Sequence, residues 1–99
     1  ILFCDVRGFT SIAERLEAPA LASLLKDYLS LMTDVLIAHG ATVDKYIGDA
    51  IMAFWNAPLE QPDHASRALH AALDMLRTLE GHRWALKRDH GISIEIGIG

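Results

Sequence analysis

The sequence holds a single cysteine among 99 residues, so it can close no internal disulfide, and none of its five histidines is spaced to build a zinc site with Cys4. A disulfide-stapled fold is therefore excluded, and a reducing compartment is the simpler setting for the chain. Positive charge is also scarce. Nine Lys and Arg stand against thirteen Asp and Glu, for a formal net charge of −4. Without a basic stripe to neutralise phosphates, no nucleic-acid partner is expected. There is no internal repeat and no low-complexity linker. Long apolar runs are missing too: the longest, Ala50 to Trp55, falls far short of the roughly 20 residues a bilayer span requires. No signal peptide opens the chain. A cytoplasmic location is expected, with room for a sensor or transmembrane region upstream of Ile1 in the parent protein.

What remains is a composition of 52% hydrophobic and 22% charged residues, that of one globular domain. The chain opens on the apolar run Ile1-Leu2-Phe3-Cys4 and stops inside the alternating run Ile92 to Gly99, and it is read as an excerpt of a longer protein. Ile1 to Val6 suits a strand buried on both faces. Thr10 and Ser11 are candidate caps of a short helix reaching about Glu17, with Ser11 and Glu14 spaced for a capping box. Pro19 opens a second helix, in which Leu21, Leu24, Leu25, Tyr28, Leu29, Met32, Val35 and Leu36 recur at helical spacing up to Gly40.

Thr42 to Ile47 and Ala50 to Trp55 read as strands joined by a tight Gly48-Asp49 hairpin. Gln61-Pro62-Asp63 begins a third helix with a stripe of Ala65, Ala68, Leu69, Ala72, Leu76 and Leu79, ending at Gly81 or Gly91. Ile92 to Ile98 alternates as a strand. The order strand, two helices, two strands, helix, strand predicts an α+β, ferredoxin-like split βαβ sandwich with helices on one sheet face.

On that topology Asp5 ends the first strand and Asp49 lies in the hairpin turn. If the first strand pairs parallel to Thr42–Ile47 through the helical crossover, the two carboxylates become neighbours. Close carboxylates repel unless a cation lies between them, and oxygen-only ligation favours magnesium or manganese. Two such ions can activate a hydroxyl and stabilise a leaving phosphate oxygen. The loop from Arg7 to Ser11 would offer backbone N–H groups to a polyphosphate. Asp is equally at home in strand ends and turns for its tolerance of turn geometry. Lys45, in a regular strand, shares the side of Val43 and Ile47; it either snorkels to the sheet edge or donates to a ligand. Cys4 is expected as a buried strand residue, and the five histidines as helix-surface or loop residues.

Leu2-Phe3-Cys4-Asp5-Val6-Arg7-Gly8-Phe9-Thr10 resembles the first metal motif of the class III adenylate and guanylate cyclases, and Asp44-Lys45-Tyr46-Ile47-Gly48-Asp49-Ala50 resembles the second. The resemblance covers essentially all of residues 1–99, read as the N-terminal half of such a catalytic domain. It implies that Asp5 and Asp49, with the backbone carbonyl of Val6, hold two Mg2+ or Mn2+ ions, and that Gly8, Phe9 and Thr10 line the phosphates. It implies also that Lys45 reads the base of ATP, forming 3',5'-cyclic AMP and pyrophosphate, across a homodimer with composite active sites. Lys45 disfavours GTP, because a lysine has only donors. Family members complete such sites with an Asp or Thr, an Asn and an Arg after a further helix and strands, and residues 1–99 include none of these, so the 99-residue excerpt alone is expected to be inactive. The alternatives are a catalytically silent regulatory cyclase-like domain and a guanylate cyclase. A diguanylate cyclase turn would differ from Gly48-Asp49-Ala50-Ile51, and an RNA-binding sheet would need exposed aromatics and basic flanks.

Overall fold

A computed structural model describes residues 1–99. The elements run β1 (Leu2–Val6), α1 (Phe9–Arg15), α2 (Ala18–Ala38), β2 (Thr42–Ile47), β3 (Ala50–Phe54), α3 (His64–His90) and β4 (Ile96–Ile98). The four strands form one sheet in the order β2-β3-β1-β4, antiparallel at every pairing. The expected α+β sandwich is thus the one found. The expected parallel pairing of β1 with Thr42–Ile47 is not: β3 stands between them and pairs with both. The hairpin returns β3 antiparallel onto β1, and this brings the hairpin turn to the C-terminal end of β1.

Helices cover one face only. Along β1 burial alternates, with Leu2, Cys4 and Val6 inside and Phe3 and Asp5 exposed, which corrects the expectation of a strand buried on both faces. Leu2, Cys4 and Val6 meet Ile51 and Ala53 of β3 under Leu24, Tyr28, Met32 and Leu36 of α2 and Ala71, Met75 and Leu79 of α3. The stripe read for α2 faces this core. The stripe read for α3 is rotated: Leu69 and Leu76 are exposed, while Ala71 and Met75 are fully buried. A small residue and a flexible one take the inner face, where α3 lies close against α2 and the sheet, and the leucines Leu69, Leu73 and Leu76 point outward.

Several ends also differ from expectation. α1 stops at Arg15, and Gly8 in the left-handed region (φ 65°) precedes its first turn, so Thr10 and Ser11 lie inside the helix and make no capping bond. α3 begins at His64 after Asp63, two residues beyond Pro62, and runs through Gly81 to Gly91. β4 is confined to Ile96–Ile98, although Arg7 N–H still donates to Glu95 O at 2.8 Å. His39 and His90 are more than surface residues: they bond Asp74 at 3.0 Å and Asp27 at 2.8 Å, tying α2 to α3 near both ends.

The rotated face of α3 has a measurable consequence. Leu36→Ala, which empties a fully buried site on α2, is expected to destabilise by about 2–5 kcal/mol. Leu69→Ala, on the outer face of α3, should stay within about 0.5 kcal/mol. Urea midpoints at unchanged slope measure both; equal losses would restore the leucine stripe to the core.

Candidate active site on the open sheet face

The uncovered sheet face is where the chemistry-bearing residues collect. Asp5 points to it by the alternation of β1. Residues directly opposite in a ladder share a face, so the pairings Asp5 with Gly97, Phe3 with Met52 and Lys45 with Met52 put Phe3, Asp5, Lys45, Met52 and Gly97 together there.

Asp49 joins them through a main-chain contact. In the antiparallel ladder Cys4 pairs with Ile51, and the next rung facing β3 belongs to Val6. Its N–H finds no strand carbonyl; the Asp49 carboxylate accepts it instead, at 2.9 Å. Gly48, with φ 58°, forms the turn that presents Asp49; a side chain there would strain a left-handed position. Since a strand residue's N–H and C=O leave on the same edge, the carbonyl of Val6 faces the hairpin turn as well. Asp5, Val6 and Asp49 therefore converge as the sequence anticipated, though by way of β3.

Lys45 reaches the open face by a different device. Val43 pairs with Ala53 but Lys45 pairs with Met52, so β2 spends one extra residue, Asp44, in a bulge. The bulge reverses the alternation and re-aims the side chain. Val43 packs toward the helices, Tyr46 turns the same way and bonds Thr33 on α2 at 2.8 Å, and Lys45 emerges on the opposite side. This corrects the expectation that Lys45 shares the side of Val43. Its ammonium lies 3.8 Å from Asp44, with the lysine side chain 57% exposed, and an ion pair so open contributes little.

Behind Asp5 lies Cys4, fully buried, its Sγ 3.2 Å from the Tyr28 hydroxyl. Burial pushes the thiol above its ordinary value of 9.0; the Tyr28 hydrogen bond opposes this, and the carboxylates of Asp5 and Asp49 both add to the rise. Burial pushes the Tyr28 hydroxyl up as well, with the same two carboxylates contributing. Groups whose acid pKa is raised by folding contribute stability that is complete below their unfolded values and lost as pH climbs. Stability should therefore begin to fall above about pH 9, and Cys4→Ala should remove the earlier part of that fall, leaving Tyr28 to act nearer pH 10. Thermal melts across pH 7–11 measure it; identical alkaline profiles for both proteins would contradict the buried, protonated thiol.

Gly8 and Thr10 are exposed at the start of α1, while Phe9 is half-buried against the core. The sequence gives Arg7 a place through its backbone, in the loop to Ser11, and gives its side chain and Gly97 no role. A Cβ built on Gly97 would stand 3.2 Å from both Asp5 Oδ1 and Arg7 Nε; only the lateral pairing of β4 with β1, invisible in a linear pattern, brings them together.

No group of three or more His, Cys, Asp or Glu residues gathers as a metal cage. A pair of carboxylates and a carbonyl, completed by water and by phosphate oxygens, is the donor set that suits magnesium or manganese, which bind through one or two carboxylates plus substrate. The residues present fit such ions. The face itself is flat: the three concavities of the molecule, the first between α2 and α3 beside Asp27, Asp34 and Asp89, exclude Asp5, Asp49 and Lys45. No helix is long and apolar enough to cross a membrane.

The profile of the adenylate and guanylate cyclase catalytic domain matches residues 1–99. An adenylate cyclase of Anabaena cylindrica is 42% identical over 80 residues, which is 81% of this chain and 15% of that protein. Among solved structures, the guanylyl cyclase Cya2 superposes with a TM-score of 0.93 at 35% identity, covering 99% of this chain and 50% of that one. The adenylyl cyclase CyaB from P. aeruginosa gives 0.91 at 36%, covering 99% and 52%. The chain thus spans about half the length of the solved relatives and a smaller share of the curated one.

Proposed function

The chain belongs to the adenylate and guanylate cyclase catalytic domain family, and from that premise we propose that it carries the metal-binding and base-reading residues of an adenylate cyclase, forming 3',5'-cyclic AMP and pyrophosphate from ATP. The observation that carries the reading is the Asp49 carboxylate held on the Val6 N–H, beside Asp5, on a sheet face no helix covers.

Two magnesium or manganese ions bound by Asp5, Asp49 and the Val6 carbonyl would supply Lewis acidity to the ribose 3'-hydroxyl and neutralise triphosphate charge. That hydroxyl attacks the α-phosphorus and loses its proton to solvent; the new P–O bond forms as the bond to the leaving pyrophosphate breaks. Only through such ions would the two carboxylates position the reacting phosphate, and the hydrogen bond to Val6 keeps Asp49 from reorganising as charge develops. The backbone N–H groups of Gly8, Phe9 and Thr10 line the phosphate end.

Lys45 reads the base. An ammonium donates to a ring acceptor of adenine and has nothing to offer the N1–H and amino group of guanine. A flat site needs a second surface to exclude water, which supports a homodimer whose partner copy closes over this face, with each Lys45 serving the other copy's carboxylates. The lone buried Cys4 suits a cytoplasmic location. The backbone resembles a guanylyl and an adenylyl cyclase almost equally, so guanylate cyclase is the second reading, and the choice rests on Lys45.

The test is cyclic nucleotide formation by the protein expressed from its complete coding sequence, with manganese and either ATP or GTP. Cyclic AMP in excess is the expected product. Cyclic GMP in excess would select the second reading, and no product from a folded protein would leave a regulatory domain.

A further inference from the structure

Beside Asp5 the open face carries a cation, Arg7, whose side chain has no role in the reading above. The guanidinium of Arg7 lies against Gly97: a Cβ there would stand 3.2 Å from Arg7 Nε, 3.4 Å from its Cζ and 3.2 Å from Asp5 Oδ1. Gly97 is the β4 partner of Asp5, so the arginine reaches back from the loop after β1 and shares the open face with the carboxylate. A glycine inside a strand weakens it and often marks close approach of a ligand. Here its missing side chain is what leaves room for both groups.

The arginine has no carboxylate of its own. Arg67, Arg83 and Arg88 are paired with Asp63, Glu80 and Asp89; Arg7 makes no such bridge, and Arg15 and Arg77, also without one, lie on α1 and α3 away from this face. An unpaired guanidinium that shares the Gly97 position with the Asp5 carboxylate is placed for an anionic group that arrives with its own charge. A planar fork of donors matches a phosphate better than it matches a single oxygen.

We propose that Arg7 contacts the polyphosphate of the nucleotide directly and is a substrate-binding residue of this site. The inference rests on the cyclase reading for the identity of the anion, and on the position of the guanidinium for the contact itself.

The protein expressed from its complete coding sequence is compared with R7Q and R7K forms. Binding of inorganic pyrophosphate with manganese is read by calorimetry, and ATP KM, kcat and inhibition by adenosine are read alongside. R7Q should weaken pyrophosphate binding and raise KM for ATP on the order of tenfold, leave adenosine inhibition within about twofold, and be partly rescued in R7K. Unchanged pyrophosphate affinity in a folded R7Q protein overturns the assignment. So does a matched loss of adenosine and pyrophosphate binding, the mark of a merely structural role, and so does a wild type that binds no pyrophosphate. Pyrophosphate binding that depends on Arg7 in a protein forming no cyclic nucleotide would sink the cyclase reading and leave the contact standing.

Discussion

If Asp5 and Asp49 hold the metal ions as proposed, cyclic nucleotide formation should fall by about a thousandfold or more when either is replaced by Asn, because each replacement would remove a charged metal ligand where phosphate charge develops. The double replacement should lose little beyond either single one, since the two act as a unit. Folding responds differently at the two positions. Asp5 is exposed, so Asp5→Asn should leave the metal-free protein within about 0.5 kcal/mol of wild type. Asp49 accepts the Val6 N–H at 2.9 Å, and Asp49→Ala should cost about 1 kcal/mol by leaving that donor unpaired. Manganese provides a second readout without turnover. At a hundred times its dissociation constant a ligand stabilises by about 2.7 kcal/mol, so manganese should raise the melting temperature of the wild type and leave both variants where they were. Activity retained within about tenfold in either variant, or an unchanged manganese shift, would remove that carboxylate from the site.

Much of this arrangement was legible in the residues, and the parts that were not share a cause. The Gly48-Asp49 hairpin, the apolar stripe of α2 and the two acidic motifs are local patterns, fixed by a few neighbouring residues, and each stands where the sequence puts it. The bulge at Asp44 is not local. Alternation over Thr42–Ile47 assumes an unbroken pleat, and only pairing with β3 reveals the extra residue that turns Lys45 over. The one-sided burial of β1 misleads for a related reason: Phe3 is apolar, and nothing in its own neighbourhood announces a face left without helices. On α3 two apolar faces compete, and the packing partner, not the leucine count, selects Ala71 and Met75. Arg7 and Asp5 are brought to a common position only by Gly97, on a strand about ninety residues further along the chain.

Lys45→Glu should invert the nucleotide preference. Catalytic efficiency with ATP falls about a hundredfold and the GTP to ATP ratio rises by a similar factor, since a carboxylate accepts from the guanine edge and a lysine cannot. Stability should barely move: the side chain is 57% exposed, and its only ionic partner is Asp44 at 3.8 Å. A lysine that merely snorkels at the sheet edge predicts no change in the ratio, so the substitution separates the two readings directly. Mixing variants then asks which carboxylates Lys45 serves. Lys45 and Asp5 share a face but stand two strands apart, with Met52 of β3 on the strand between them, or about 10 Å across the sheet. If each lysine works with the partner copy's Asp5 and Asp49, a mixed dimer of Lys45→Glu and Asp49→Asn protomers contains one site with every residue intact. Two preparations that are poor alone should then regain cyclic AMP formation when combined. If each lysine serves its own chain, both sites of the mixed dimer are damaged and combination restores nothing, which would leave the flat face to be closed by some surface other than a second copy's base-reading strand.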